Sequence, residues 1–278
     1  MTKKLTKRAI KGLLFLGMRG RFGDYIHRLL IDNAMQKTKR VVFGEQNIYF
    51  STPSVLAAYR ANSFADKEPE TLKWIASFKK GGVFWDVGAN VGTYSCYAAK
   101  LNGARVFCFE PSVFNLELLA RNINLNNLQD LISIIPIALA NTNSLSAMNM
   151  SSTEWGGALS TFSSSYGQDG KELNVAFFYK TAGMRMDDLS EFYNLETPNY
   201  LKIDVDGIEH LILEGGIKIL NKVESVLIEV NHNFIEQKEK CDKILRASGL
   251  SLIRSDPADL LGGDIGKGSY NEIWNRVK

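Results

Sequence analysis

The stretch Val83-Phe84-Trp85-Asp86-Val87-Gly88-Ala89-Asn90-Val91-Gly92 constrains this chain more than any other. A β-branched and aromatic run leads into a tight turn with glycines at 88 and 92, and helical spacing follows. A second apolar run, Arg105 to Phe109, ends in Glu110-Pro111. The order is strand, turn, helix, strand, the opening unit of a parallel sheet joined by crossover helices. In such sheets ligands bind outside the carboxyl ends of the strands. Gly88 and Gly92 have no Cβ, so the backbone there can bend sharply and lie against a ligand.

The spacing of the turn selects the ligand. A dinucleotide fingerprint reads G-x-G-x-x-G, because a pyrophosphate needs close backbone approach. Here the pattern is G-x-N-x-G, and Asn90 would crowd a pyrophosphate. Glu110, 18 residues after Gly92, ends the next strand, where a carboxylate accepts hydrogen bonds from ribose hydroxyls. Asp86 is placed to hold a cationic group. The expected cofactor is therefore S-adenosyl-L-methionine, with Asp86, Gly88, Asn90 and Gly92 around its methionine part and Glu110 on its ribose. Ile137-Ala138-Leu139 ends the third predicted strand, which sets Ala138 against the adenine.

Apolar runs then alternate with amphipathic ones. Predicted strands are 83–87, 105–109, 132–138, 201–205, 226–230, 251–254 and 272–277, the last antiparallel. Predicted helices are 92–101, 113–126, 186–193, 208–220 and 234–247. Residues 141–185, with Gly156-Gly157, Ser163-Ser164-Ser165 and a strand-like 175–179, interrupt the alternation and read as a substrate-side cover. Residues 1–66 form a basic, mostly helical extension and 67–278 the catalytic domain. Residues 41–51 read as a strand pair or an extended cover and 53–79 as helical.

The net charge of +3 is unevenly spread. Residues 1–40 carry eleven Lys or Arg against two Asp, and the remainder carries 22 basic against 28 acidic residues. The run Leu13–Met18 is too short to cross a bilayer and has no signal-peptide pattern. A basic amphipathic segment can touch an anionic membrane, although a helix packed on the domain is the favoured expectation. Cys96, Cys108 and Cys241 show no C-x-x-C pairing and read as reduced core residues of a cytoplasmic protein.

Four segments resemble the FkbM family of S-adenosylmethionine-dependent methyltransferases. They are Asp86–Gly92, Phe109-Glu110-Pro111, Met186-Asp187-Asp188-Leu189 and Leu201-Lys202-Ile203-Asp204-Val205-Asp206-Gly207-Ile208-Glu209. The likeness covers residues 67–277. The last segment is the most specific, and Asp206 stands where the family commonly has Glu. The resemblance implies a Rossmann-like, seven-stranded α/β fold of the class I methyltransferase type. It also implies O-methylation of a hydroxyl, typically on a sugar of a polysaccharide, glycolipid or glycosylated natural product.

Methyl transfer to a sugar hydroxyl needs an aligned acceptor and help in removing its proton. An imidazole is the side chain best suited to take a proton near neutral pH, so His232 is the first candidate base, with Asp206 and Glu209 as alternatives. Asp204 is expected beside the cofactor. With Glu229 and Asn231 it would form an all-oxygen Mg²⁺ set, a reading disfavoured against a cofactor or helix-capping role. His210 is expected to point elsewhere, and His27 has no evident partner. A nucleic-acid methyltransferase is disfavoured because the catalytic part is net negative. An NAD(P)-dependent oxidoreductase is disfavoured because the third glycine is missing.

Overall fold

The computed structural model describes residues 20–258 and 268–277. Helix α1 (Arg21–Met35) leads into an antiparallel ribbon of β1 (Thr38–Phe43) and β2 (Gln46–Ser51), then α2 (Val55–Asn62) and α3 (Pro69–Ala76). Next come β3 (Val83–Val87), α4 (Thr93–Asn102), β4 (Arg105–Phe109), α5 (Val113–Leu125) and β5 (Ile132–Ile135). Four strands follow: β6 (Ala138–Ala140), β7 (Ser144–Met150), β8 (Ser160–Phe162) and β9 (Phe177–Arg185). The chain continues through α6 (Met186–Phe192), β10 (Tyr200–Ile203), α7 (Glu209–Glu214) and α8 (Ile217–Leu220). It closes with β11 (Ser225–Asn231), α9 (Ile235–Ala247), β12 (Leu250–Pro257) and β13 (Ser269–Arg276).

Seven strands form one sheet in the order β5-β4-β3-β10-β11-β13-β12. All pairs are parallel except those of β13, which runs antiparallel to β11 and β12. This is the Rossmann-like class I methyltransferase sheet expected from the sequence. The central place of β3 explains its composition, because a strand covered on both faces reads as an unbroken buried run. Alternate side chains go to opposite faces. Trp85 packs with Leu201, Ile203 and Val226 on one side, and Phe84 with Trp74, Phe78 and Leu227 on the other. Each buried side chain of this size contributes about 1.5–3 kcal/mol relative to exposure. The three cysteines are free and buried, as expected.

Three expectations change. The third strand of the main sheet stops at Ile135, and Ala138 belongs instead to β6 of a second sheet, ordered β6-β9-β7-β8. The 141–185 insertion thus supplies β7, β8 and β9 of the sheet that begins with the segment after β5. The predicted helix 208–220 breaks at Gly215-Gly216 into α7 and α8. A Cβ at Gly215 would sit 2.2 Å from the Ala140 carbonyl oxygen, so the backbones touch where a continuous helix would collide with β6.

The ribbon is built into the fold. Asn126 of the α5 C-cap accepts the Tyr49 amide at 2.9 Å and donates to the Tyr49 carbonyl at 2.7 Å, while Asn122 accepts the Ser51 amide at 2.7 Å. These side chains satisfy a strand edge that would otherwise lie open. Helix α1 behaves differently. It buries only Gly23 and leaves Phe22, Tyr25, Leu29, Leu30 and Ile31 exposed, contrary to the packed-helix expectation. The first half of the basic N-terminal segment lies outside the described residues. Among the described residues no helix is long and apolar enough to cross a membrane.

Candidate active site

The glycine turn follows β3 and abuts the end of β10. Gly88 has φ +81°, and a Cβ there would lie 1.9 Å from the Asp204 carbonyl oxygen, so only glycine fits. Gly92 has φ +78°, and its Cβ would meet Leu119 of α5 at 2.4 Å, which fixes how closely α4 and α5 pack. Between them Asn90 adopts φ +51°, a left-handed conformation that asparagine tolerates better than most residues. Its amide donates to Glu110 Oε2 at 2.7 Å and its side chain to the Gly157 carbonyl at 2.7 Å. The residue that breaks the dinucleotide pattern therefore clasps the insertion.

A cleft opens beside this turn. Gly88, Asn90, Glu110, Ala138, Asp204 and Asp206 line it. Glu110 is held from both sides, since Ser112 N–H donates to its other oxygen at 2.7 Å. Burial nevertheless pushes its carboxyl up to about 7, outweighing those two amides. Gly157, Ala158 and Ser160 close the cleft from the insertion. Ala138 thus faces the cleft as expected, but from β6.

The segment after β10 gathers the other acids. Asp204 bonds the buried Lys202 ammonium at 2.7 Å. Burial opposes its charge, but Lys202 and then Lys67 outweigh this and hold it below the usual carboxylate range. Asp206 is the strained residue, at φ +63°. Its Oδ2 accepts the Leu159 and Ser160 amides at 2.7 and 3.3 Å, and burial followed by the Asp204 charge pushes it up to about 6. Holding a non-glycine residue there costs about 1–2 kcal/mol, a strain that clusters at functional sites.

Other sequence candidates lie elsewhere. Glu209 accepts the Val205 and Gly207 amides and the Gln237 side chain, so it fastens the loop from beneath and lines neither this cleft nor the one described below. His232 bonds Glu272 at 2.9 Å and stacks on Tyr270 with ring centroids 4.1 Å apart, also outside both clefts. His210 is buried beside Phe234. Asp86 is buried beneath the turn, accepts from Ser95, and has Oδ1 without a partner. The proposed Mg²⁺ set does not assemble. Asn231 is committed to the Asn233 amide at 2.9 Å and Ser269 at 3.4 Å. Among the described residues no three His, Cys, Asp or Glu side chains are arranged to hold a metal ion. Glu229 is half-buried, and burial with the charges of Asp204 and Glu68 raises its carboxyl well above the ordinary value.

Several residues at the site carried no sequence signal. Arg60, Lys67 and Glu68 come from α2 and the loop before α3, and Lys202 from inside a buried strand. The Lys67–Glu68 pair is 2.9 Å long, and the Tyr94 hydroxyl bonds Glu68. Asn115 of α5 donates to the Gly157 carbonyl at 3.2 Å and accepts the Gly156 amide at 3.1 Å. Lys202 has one legible trait, an ammonium within an apolar strand, which needs a buried acid nearby.

Sheet order, glycine turn and acid-ended β4 together define a class I methyltransferase fold. Residues 86–252, more than half of the chain, match the Methyltransferase FkbM domain, and the chain belongs to that family. It is 25% identical over 203 residues to the hexuronic acid methyltransferase AglP of Haloferax volcanii, covering 73% of this chain and 77% of that protein. The methyltransferase FkbM of Methylobacillus flagellatus KT superposes with a TM-score of 0.48 at 15% identity, over 71% of this chain and 44% of that one. The precorrin-6y C5,15-methyltransferase of Geobacter metallireducens GS-15 gives 0.44 at 11% identity, over 76% and 87%.

Proposed function

We propose that this chain transfers a methyl group from S-adenosyl-L-methionine to a hydroxyl of a sugar in a polysaccharide, glycolipid or glycosylated natural product. The observation that carries the reading is one cleft lined by Glu110, Asp204 and Asp206, beside a turn where position 88 admits no side chain. These residues fit the cofactor: Glu110 offers carboxylate lone pairs to ribose hydroxyls, and Asp204, held ionised, offers a negative charge to a sulfonium. The sugar acceptor draws support from the hexuronic acid methyltransferase relative.

The bound cofactor would supply an electrophilic methyl group. The protein must hold the acceptor hydroxyl in line, keep water out and take up a proton. Asp206 suits the last task, because it lines the cleft and its raised value brings a carboxylate near the working range of a base. The strands of the insertion would cover the acceptor and exclude water. The test is calorimetric titration of S-adenosylmethionine and, separately, NAD⁺ into the wild-type chain and Glu110→Ala. Micromolar S-adenosylmethionine binding that Glu110→Ala abolishes is expected, and tight NAD⁺ binding instead would overturn the reading.

The exposed apolar residues of α1, in the most basic part of the chain, support a peripheral contact with an anionic membrane as a further part of this reading.

A further inference from the structure

A second cleft, of about 520 Å³, lies on the other side of the glycine turn and shares Gly88, Asn90 and Asp204 with the first. Its distinctive wall is cationic: Arg60 from the N-terminal cover, Lys67 from the loop that follows it and Lys202 from β10 all line it. Two of the three already have carboxylate partners, Lys67 on Glu68 and Lys202 on Asp204. Arg60 differs. Its Nε donates to the Gly156 carbonyl, and among the described residues it enters no ion pair, so its two terminal nitrogens remain available. Its charge also reaches Glu110, Asp204 and Asp206, as a minor influence on each.

A half-buried guanidinium without an acid partner, opposite a carboxylate held ionised, describes a site for a molecule carrying both signs. An α-amino acid end is such a molecule, its carboxylate suited to a two-pronged bond from arginine and its ammonium to Asp204. An adenosine in the first cleft, joined to an amino-acid end in the second, would cross from one to the other at Gly88, Asn90 and Asp204. We propose that Arg60 anchors the α-carboxylate of the cofactor, so that the N-terminal cover, outside the family-matched segment 86–252, completes the cofactor site. The assignment rests on the cofactor reading given above. It also gives the Arg60–Gly156 bond a purpose, since the anchoring side chain is steadied by the insertion that closes the first cleft.

The test is calorimetry on the full chain and on Arg60→Ala and Arg60→Lys, each checked for an unchanged circular dichroism spectrum. The probes are S-adenosylhomocysteine, which has the amino-acid end, and 5′-methylthioadenosine, which lacks it. Arg60→Ala should weaken S-adenosylhomocysteine by about 10- to 100-fold, the range of a charge-assisted contact, and leave 5′-methylthioadenosine within about twofold. Arg60→Lys, keeping the charge but not the fork, should fall between. Equal losses for both probes would make Arg60 a support for the fold and overturn the proposal. No loss for either, with a raised acceptor KM, would assign Arg60 to an anionic acceptor and also overturn it. A wild-type chain that binds neither probe sinks the cofactor reading itself. Binding of 5′-methylthioadenosine with no preference for S-adenosylhomocysteine sinks the anchor alone.

Discussion

Glu110 makes cofactor affinity a function of pH. Burial pushes its carboxyl up to about 7, while Asn90 and Ser112 amides occupy one lone pair on each oxygen. The Asn115 side chain also bonds the carboxylate, which lines the cleft and accepts ribose hydroxyls best when ionised. A hydrogen bond to a charged acceptor exceeds a neutral one by about 1 kcal/mol, so two hydroxyls favour the ionised form by about 2 kcal/mol, roughly 30-fold. With a pKa near 7, about one molecule in eleven is ionised at pH 6 and about ten in eleven at pH 8. Affinity should then rise about sevenfold between roughly pH 6 and 8. The stability of the ligand-free chain runs the other way. A carboxyl raised above its unfolded value adds stability that is full below the unfolded pKa and lost as pH rises through about 7. The assay is calorimetry with 5′-methylthioadenosine, which lacks the amino-acid end. Glu110→Gln should flatten the curve and also lose stability, because its amide group would face the Ser112 N–H with a second donor. A flat wild-type profile, or a slope that survives Glu110→Gln, would refute the reasoning.

Gly88→Ala should destabilise the chain by about 3 kcal/mol or more, combining left-handed strain with the 1.9 Å approach to Asp204. That corresponds to a Tm fall of roughly 6 °C or more, and thermal denaturation showing less than a degree would contradict the close-approach argument. Asp206→Asn should lower kcat by about 10²- to 10⁴-fold with cofactor Kd nearly unchanged. His232→Ala, outside both clefts, should cost less than about tenfold by the same steady-state assay, and the reverse ranking would return the base to His232. Substituting Phe22, Tyr25 and Leu29 by serine should reduce co-sedimentation with anionic vesicles while leaving neutral vesicles unaffected. Equal recovery with both would remove the membrane contact.

Most of the sheet was legible because its strands announce themselves by burial on both faces. Val83–Val87 and Tyr200–Ile203 lie at the centre, and their near-continuous apolar runs fit nothing else. The elements that escaped were set by distant contacts. Whether 132–138 is one strand or two depends on Gly183 of β9 pairing with Ala138, about 45 residues away in sequence. The break at Gly215-Gly216 depends on the Ala140 carbonyl pressing against it. Neither constraint has a local pattern.

The site divides along the same line. Gly88, Asn90, Gly92 and Glu110 belong to one local unit whose geometry repeats wherever a strand turns tightly into a helix, so sequence spacing located them. The carboxylates after β10 were also visible, but their roles were not, because a role depends on what faces each group. Glu209 and Asp206 are three residues apart, yet Glu209 is turned under the loop to receive Val205 and Gly207 amides while Asp206 is turned into the cleft. Arg60 and Lys67 were hidden for a different reason. An exposed-looking basic helix in an N-terminal extension is ordinarily a solvated face, and only the ribbon stitched to α5 by Asn122 and Asn126 brings that extension near the turn. Once it is there, the electrostatics close. Lys67 and Lys202 together hold Asp204 ionised against its burial, and Arg60 is left with charge to spare. The division of labour is therefore physical: the family segment shapes the turn, and residues that precede it supply two of the three cations of the second cleft.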